Sequence, residues 1–304
     1  MRAEGGGSVC GIVGLHTKTE VLEDRLGSLL TPMLASMTSR GPDSAGIAIY
    51  DDDLPDGVYR YSVRASGPEV DWTALAAELG EGLGRDVSVQ RRGTGAVLVV
   101  PGDPVAALAA LQDSGVTVVG HGRAMEVFKD VGAPRDICER FGVPERRGYQ
   151  GLGHTRMATE SAVTTDHSHP FAAAADLCRV HNGSFSNYAS VRRDLCDLGL
   201  RFDTDNDSEV AARFIAHHIA AGAGLGDALR MVIKELDGFF TLLVATETEF
   251  AVVRDQFACK PAVLAETEDY VAMASEYHAL ADLPGIEDAD VFEPMPEEVH
   301  VWSR

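Results

Sequence analysis

The sequence predicts an α+β protein, on three observations. Residues 58–122 read in the order β-α-β-β-α-β, which is the ferredoxin-like unit. Short apolar runs of strand length alternate with stretches at helical spacing on both sides of that unit. Three strand-like runs, FFTLLVA, EFAVVR and YVAMAS, close the chain.

Taken in order, residues 10–15 (CGIVGL) read as a short buried strand. Leu22, Leu26, Leu29, Leu30, Met33, Leu34 and Met37 then recur at helical spacing. Pro32 lies inside that pattern, so the helix is expected to kink or restart there. Arg40-Gly41-Pro42-Asp43 ends it as a turn, and GIAIY follows as a second strand. Within 58–122, strands are expected at 58–65, 87–91, 96–100 and 116–119, and helices at 72–83 and 105–111. Further helices are expected at 187–198, 208–221 and 226–236, with Asp207 or Ser208 as N-cap of the second. No internal repeat or low-complexity linker interrupts the chain.

Composition narrows the function classes. The 304 residues are 45% hydrophobic, ordinary for a globular protein. Asp and Glu number 47 against 26 Lys and Arg, a formal charge of -21. Such a surface repels phosphate backbones and argues against nucleic acid; solubility is its plain meaning. No apolar run approaches the ~20 residues of a membrane span. MRAEGGGSV lacks the apolar region of a secretory signal. Cys10, Cys138, Cys178, Cys196 and Cys259 are odd in number, widely spaced and without a CxxC pair. Neither a disulfide framework nor a zinc site is suggested, and a reducing cytoplasm is the expected location. Four of these cysteines read as small core residues.

Cys10 is the exception. Read blandly, it is a buried thiol in a strand. Its nearness to the N-terminus changes the weighing, because an N-terminal nucleophile can use its own α-amine as general base. That amine has a reference pKa of ~7.7–8.0, well matched to neutral pH. The arrangement requires that residues 1–9 be absent.

With that, a pattern across the chain becomes recognisable. Its segments are Cys10-Gly11-Ile12-Val13-Gly14, Arg40-Gly41-Pro42-Asp43-Ser44-Ala45-Gly46, Gly153-His154-Thr155-Arg156-Met157-Ala158-Thr159, His169-Pro170, His181-Asn182-Gly183 and Asp207-Ser208-Glu209. Arg254-Asp255 with Lys260-Pro261, and Ala274-Ser275-Glu276, add to it. The sequence resembles the class II glutamine amidotransferases, which are N-terminal-nucleophile hydrolases. The resemblance implies a four-layer αββα sandwich over residues 10–304, carrying the ferredoxin-like insertion at about 58–122.

The resemblance also implies roles. Cys10 matches the nucleophile. Asn182, by its side chain, and Gly183, by its backbone N–H, match the oxyanion hole, where each donor contributes ~2.7–4 kcal/mol. Arg156 matches the clamp on the substrate α-carboxylate, where a planar fork suits bidentate binding. Asp207 matches the partner of the substrate α-ammonium. Thr159 and His169 match positions near the pocket, without an assigned chemical step. His181 falls behind the oxyanion asparagine. His167 and His169 lack a third metal ligand, and no metal is implied. The expected reaction splits L-glutamine into glutamate and ammonia through a Cys10 thioester.

Residues 1–9 then read as a leader: a propeptide, or a mis-assigned start with Val9 (a codon for which, GTG, can initiate) as the true first residue. The glutaminase portion fills the chain, so the ammonia acceptor is expected on separate synthase subunits. Residues 125–132 and 155–164 resemble the stand-alone subunits related to glutamate synthase, in particular the amidotransferase subunit of N-methylglutamate synthase. That resemblance implies a flavin on a partner subunit and no cofactor on this chain, which has no GxGxxG loop. Two rival readings stand beside it. One is an N-terminal-nucleophile hydrolase of other amides, which the Arg156 and Asp207 pair disfavours. The other is a non-catalytic glutamine-sensing subunit in which Cys10 never becomes N-terminal. An asparagine-synthetase-like activity, hinted at by Arg-Gly-Pro-Asp, would need a further ATP-using domain.

Overall fold

The computed structural model describes residues 10–304 apart from 53, 68–69, 113, 158–163 and 166. The leader and Thr159 therefore lie outside the described residues. The chain begins with β1 (Gly11–Thr17), α1 (Glu20–Glu23), α2 (Leu26–Ser36) and β2 (Ser44–Tyr50). The next unit is β3 (Val58–Ala65), α3 (Trp72–Leu83), β4 (Ser88–Arg92), β5 (Gly95–Pro101), α4 (Pro104–Gln112) and β6 (Val116–Gly122). Then come β7 (Met125–Val131), α5 (Pro134–Arg140), β8 (Gln150–Arg156), β9 (Phe171–Ala174) and β10 (Leu177–Phe185). Helices α6 (Tyr188–Asp197), α7 (Asp207–Ala220) and α8 (Leu225–Glu235) follow. Strands β11 (Gly238–Ala245), β12 (Glu249–Arg254), β13 (Val263–Glu266), β14 (Tyr270–Ala274), β15 (Asp290–Phe292) and β16 (Val299–Ser303) complete it.

Two sheets stack to make the core. One has seven strands in the order β15-β13-β14-β1-β8-β2-β7, the other five in the order β16-β12-β11-β10-β9. Ile12, Tyr50 and Leu152 from the first meet Val180, Leu243 and Phe250 from the second in one buried cluster. On the outer face of the first sheet, Val13, Leu15 and Ile47 pack on α2 and α5. On the outer face of the second, Leu242, Val244 and Val253 pack on α6, α7 and α8. The layers are thus α, β, β, α, as expected. Alternation along β1 follows from the pleat: Ile12, Gly14 and His16 face the second sheet while Val13 and Leu15 face the helices.

The β3–β6 unit has its own four-stranded sheet, order β4-β5-β3-β6, with every pairing antiparallel. That is the ferredoxin-like topology. Helices α3 and α4 give it a separate core with Tyr61, Leu75, Leu98 and Leu111. Its other face lies against β7. The Val127 N–H donates to Ser62 Oγ at 2.9 Å. Arg60 on β3 pairs with Glu126 on β7 at 3.1 Å, and Arg146 pairs with the same carboxylate oxygen at 2.7 Å. Asp176 clamps the exit of the unit: its carboxylate accepts the N–H groups of Arg123, Ala124 and Met125 at 2.8–2.9 Å.

Four expectations are corrected. Of the four cysteines read as core residues, Cys138 and Cys178 are buried, but Cys196 and Cys259 are exposed. The second helix does not restart at Pro32; it runs through that residue, and the break falls earlier, at Asp24 and Arg25. Pro32 is exposed, and burial of Leu26, Leu29, Leu30, Met33 and Leu34 offsets the lost backbone bond. The cap of α7 is Asn206, whose extended backbone lets its side chain accept the Ser208 N–H at 2.8 Å. Asp207 is the first helical residue, and its carboxylate is turned to the Phe185 N–H at 2.9 Å. The chain closes with six strands rather than three, because β13, β15 and β16 are too short to show a pattern. Among the described residues no helix is long and apolar enough to cross a membrane.

Candidate active site

Cys10 sits immediately before β1, where β8 ends and β2 begins; Gly11 is in register with Thr155, and Ser44 with Arg156. The residue is half-buried. Its carbonyl accepts hydrogen bonds from Asn182 Nδ2 at 3.0 Å and Arg40 Nε at 3.1 Å. The next two N–H groups are held as well, Gly11 by Thr155 Oγ1 at 3.2 Å and Ile12 by Ser275 Oγ at 2.9 Å. Arg40 also pairs with Glu276. Four separate chain segments therefore fix the backbone that presents the thiol.

Asn182 and Gly183 lie on β10, with β11 along one side at Thr241 and Phe240. The pairing with β9 stops at Arg179, so it does not cover the other edge here. An amide carries two N–H donors, so Asn182 can hold Cys10 with one and offer the other to a ligand. Gly183 has φ +138, and a Cβ there would stand 2.0 Å from the Phe239 carbonyl. No side chain can replace its hydrogen. Asp207 is tied to the same strand through Phe185. Arg156 is the last residue of β8, and the turn of Arg40 to Asp43 passes directly over it: a Cβ on Gly41 would fall 2.5 Å from the Arg156 nitrogen. The structure thus links Cys10, Asn182, Gly183 and Asp207 by hydrogen bonds and chain continuity, and places Arg156 at the same sheet end.

His169 is buried behind this group. Its ring stacks on His154 at 4.1 Å and lies 5.1 Å from His181. Ser208 Oγ bonds His181 Nδ1 at 2.9 Å and His169 Nε2 at 3.1 Å, and His154 Nε2 meets the His181 carbonyl oxygen at 3.0 Å. Arg179 donates to the Ser208 carbonyl. Sequence reasoning gave no part in the site to Arg40, Thr155, Ser208 or Ser275. They fall inside the recognised motifs, which was their only signal. His154 and Arg179 come from strands buried on both faces, where no alternation marks them.

Burial drives the imidazoles toward the neutral form, His154 to about 3, His181 to about 4 and His169 well below the ordinary 6.5. The neighbouring rings and Arg179 act in the same direction, while Asp207 opposes them at His181. Unfolding restores ordinary proton affinity, so the unfolded chain takes up protons that the native one refuses. This contribution to stability is complete above about pH 6.5 and is lost as pH falls from there toward the native values. Each ring adds a slope of about 1.4 kcal/mol per pH unit. The urea midpoint is expected to fall steeply between pH 6.5 and 5, and less steeply in His169→Gln. A midpoint flat across that interval would contradict the assignment.

Comparison with known proteins places this geometry. A family profile described as glutamine amidotransferase domain matches residues 154–282, the span holding Arg156, His169, Asn182, Gly183 and Asp207. The glutamine amidotransferase-like protein GlxB of Rhizobium meliloti (strain 1021) is 47% identical over 97% of this chain and 99% of its own length. The chain belongs to the class II glutamine amidotransferases. A second relative, from Methanothermobacter thermautotrophicus, is 31% identical over 97% of this amidotransferase and 100% of its own length. Among solved structures, the allosteric regulatory enzyme of purine biosynthesis superposes with TM-score 0.63 at 18% identity, over 96% of this chain and 46% of that one. The glutamine phosphoribosylpyrophosphate amidotransferase of B. subtilis gives 0.61 at 18%, over 96% and 47%. These show a shared fold. This amidotransferase spans about half the length of both.

Proposed function

We propose that this amidotransferase hydrolyses L-glutamine through a Cys10 thioester and delivers the ammonia to a separate synthase subunit. The observation that carries the reading is the 3.0 Å bond from Asn182 to the Cys10 carbonyl, which makes nucleophile and oxyanion donor one rigid unit. With residues 1–9 removed, the Cys10 α-amine takes the thiol proton as the sulfur attacks the carboxamide carbon. Asn182 Nδ2–H and the Gly183 N–H stabilise the tetrahedral oxyanion. The C–N bond then breaks, the proton passes to the departing nitrogen, and ammonia leaves a thioester. Water attacks that carbon, the sulfur departs and is reprotonated, and glutamate is released. Arg156 holds the substrate carboxylate and Asp207 its ammonium, while His169 and Thr159, the latter outside the described residues, match family positions near the pocket. The acceptor system is of the N-methylglutamate synthase or glutamate synthase-like kind, with its flavin on the partner. Five free cysteines among the described residues suit a reducing cytoplasm.

Glutamate release from glutamine tests this on two chains, one beginning at Cys10 and one retaining residues 1–9, as confirmed by intact mass. Activity is expected in the first at a hundredfold or more above the second. Equal activity in both would remove the α-amine from the mechanism. No release from either, with synthase subunits present, would overturn the glutaminase reading in favour of glutamine sensing.

A further inference from the structure

Where the ferredoxin-like sheet lies against β7, the two units line a half-open cavity of about 300 Å³. Its charged and polar walls are Arg64, Arg92, Lys129, Asp130, Thr94 and Thr165. Arg92, Gly95 and Arg64 are direct cross-strand neighbours on β4, β5 and β3, so the two arginines flank a position with no side chain. A Cβ on Gly95 would stand 2.4 Å from the Val63 carbonyl, which keeps that notch open. Phe128 and Phe141, stacked at 5.2 Å, supply an apolar wall.

The balance of charge decides what the cavity takes. Asp130 is the one carboxylate among the described lining residues. It is already engaged by Arg140 at 2.6 Å, Thr94 at 3.1 Å and the Val131 N–H at 2.8 Å. Arg92 spends one Nη2 bond on Gln90, while its Nε is buried with no partner among the described residues. Burial, then the nearby Arg146, depress its proton affinity, while Glu126 acts the other way. In a chain of formal charge -21, the described lining residues place Arg64, Arg92 and Lys129 around one occupied carboxylate.

We propose that this cavity binds a small organic anion, a carboxylate or phosphate ester with a short apolar body. The volume is at the lower end of ligand pockets, which fits a metabolite rather than a polymer segment. Arg64 and Arg92 fork the acidic group, Thr94 and Thr165 add hydroxyls, and the phenylalanines receive the carbon chain. The site also reaches inward. Lys129 Nζ donates to the carbonyls of Ser168 at 3.0 Å and Pro170 at 3.4 Å, on either side of His169. An occupant beside Lys129 is therefore one side chain away from the segment that is bonded through Ser208 to the start of α7.

Titration calorimetry on the whole chain tests this with two probes, glutarate and glycerol 3-phosphate, which separate a carboxylate from a phosphate requirement. At least one is expected to bind saturably, at least tenfold more weakly in Arg92→Ala, and unchanged in Asp207→Asn. Arg92→Gln, which removes the charge but keeps a polar side chain, carries the same expectation should Arg92→Ala fail to fold. Binding by neither probe overturns the proposal. So does binding that survives loss of the Arg92 charge, or that disappears in Asp207→Asn and so belongs to the amino-acid pocket.

Discussion

Replacing Cys10 with alanine is expected to lower glutamate release by about 10⁴-fold or more, the scale seen when a covalent nucleophile is deleted. The fold should barely notice. Asn182 and Arg40 hold the Cys10 carbonyl, and Thr155 and Ser275 hold the next two N–H groups. All four bonds go to backbone atoms that alanine keeps. The denaturation midpoint of Cys10→Ala should therefore stay within about 1 kcal/mol of the parent. Asn182→Ala makes the contrast: about 10²–10³-fold in kcat for the lost oxyanion donor, with a stability loss added because the Cys10 carbonyl is released. Initial-rate assays and urea titrations on the three proteins separate the two roles. More than about one per cent residual activity in Cys10→Ala would place the nucleophile elsewhere.

Glu126→Ala is expected to destabilise the protein by about 3–5 kcal/mol, more than any other single charge removal. Arg60 and Glu126 are buried and Arg146 is half-buried, with side-chain exposures of 2%, 7% and 16%. Both guanidinium groups converge on Glu126 Oε1, and Oε2 has no partner among the described residues. The intact triad therefore gains little over an apolar filling. Removing the carboxylate that both guanidinium groups share, however, breaks the charge balance at the joint of β3 and β7. Glu126→Gln keeps the shape and should recover only part of the loss. Urea unfolding measures both, and a shift below about 1 kcal/mol for Glu126→Ala would show the joint to be solvated.

The ferredoxin-like unit was the most legible part of the fold. Strand β3 carries the polar-apolar alternation that periodicity detects, β5 is a short apolar run of strand length, and α3 matched its expected bounds of 72–83. Strands β8 and β10 carry most of the site yet are buried on both faces, so their sequences revealed motifs and no period. Cys10, Asn182, Gly183, Asp207 and Arg156 could be named because each falls in a short motif that carries the family resemblance, although their partners are distant in sequence. The Ser208 hub could not, since His169, His181 and Ser208 are brought together from a loop, a strand and a helix. The cap of α7 was misplaced by a single residue for a related reason. Three adjacent residues, Asn206, Asp207 and Ser208, can all cap a helix, and only the tertiary demand of the Phe185 N–H takes Asp207 out of contention.

The pairing of β2 with β7 has an evolutionary consequence. Tyr50 stands opposite Met125, and the Asp51 N–H bonds the Ala124 carbonyl at 3.0 Å. The ferredoxin-like unit thus hangs from two adjacent ends of what is otherwise a plain hairpin. Loop closure grows with the logarithm of length, so carrying the whole unit in place of a two-residue turn costs the pairing only about 3 kcal/mol of chain entropy. A gene could acquire or discard this cassette without shifting the register of the seven-stranded sheet or moving Cys10. Shorter cousins of the same core would keep the thiol and the oxyanion strand, but would have no cavity lined by Arg64 and Arg92.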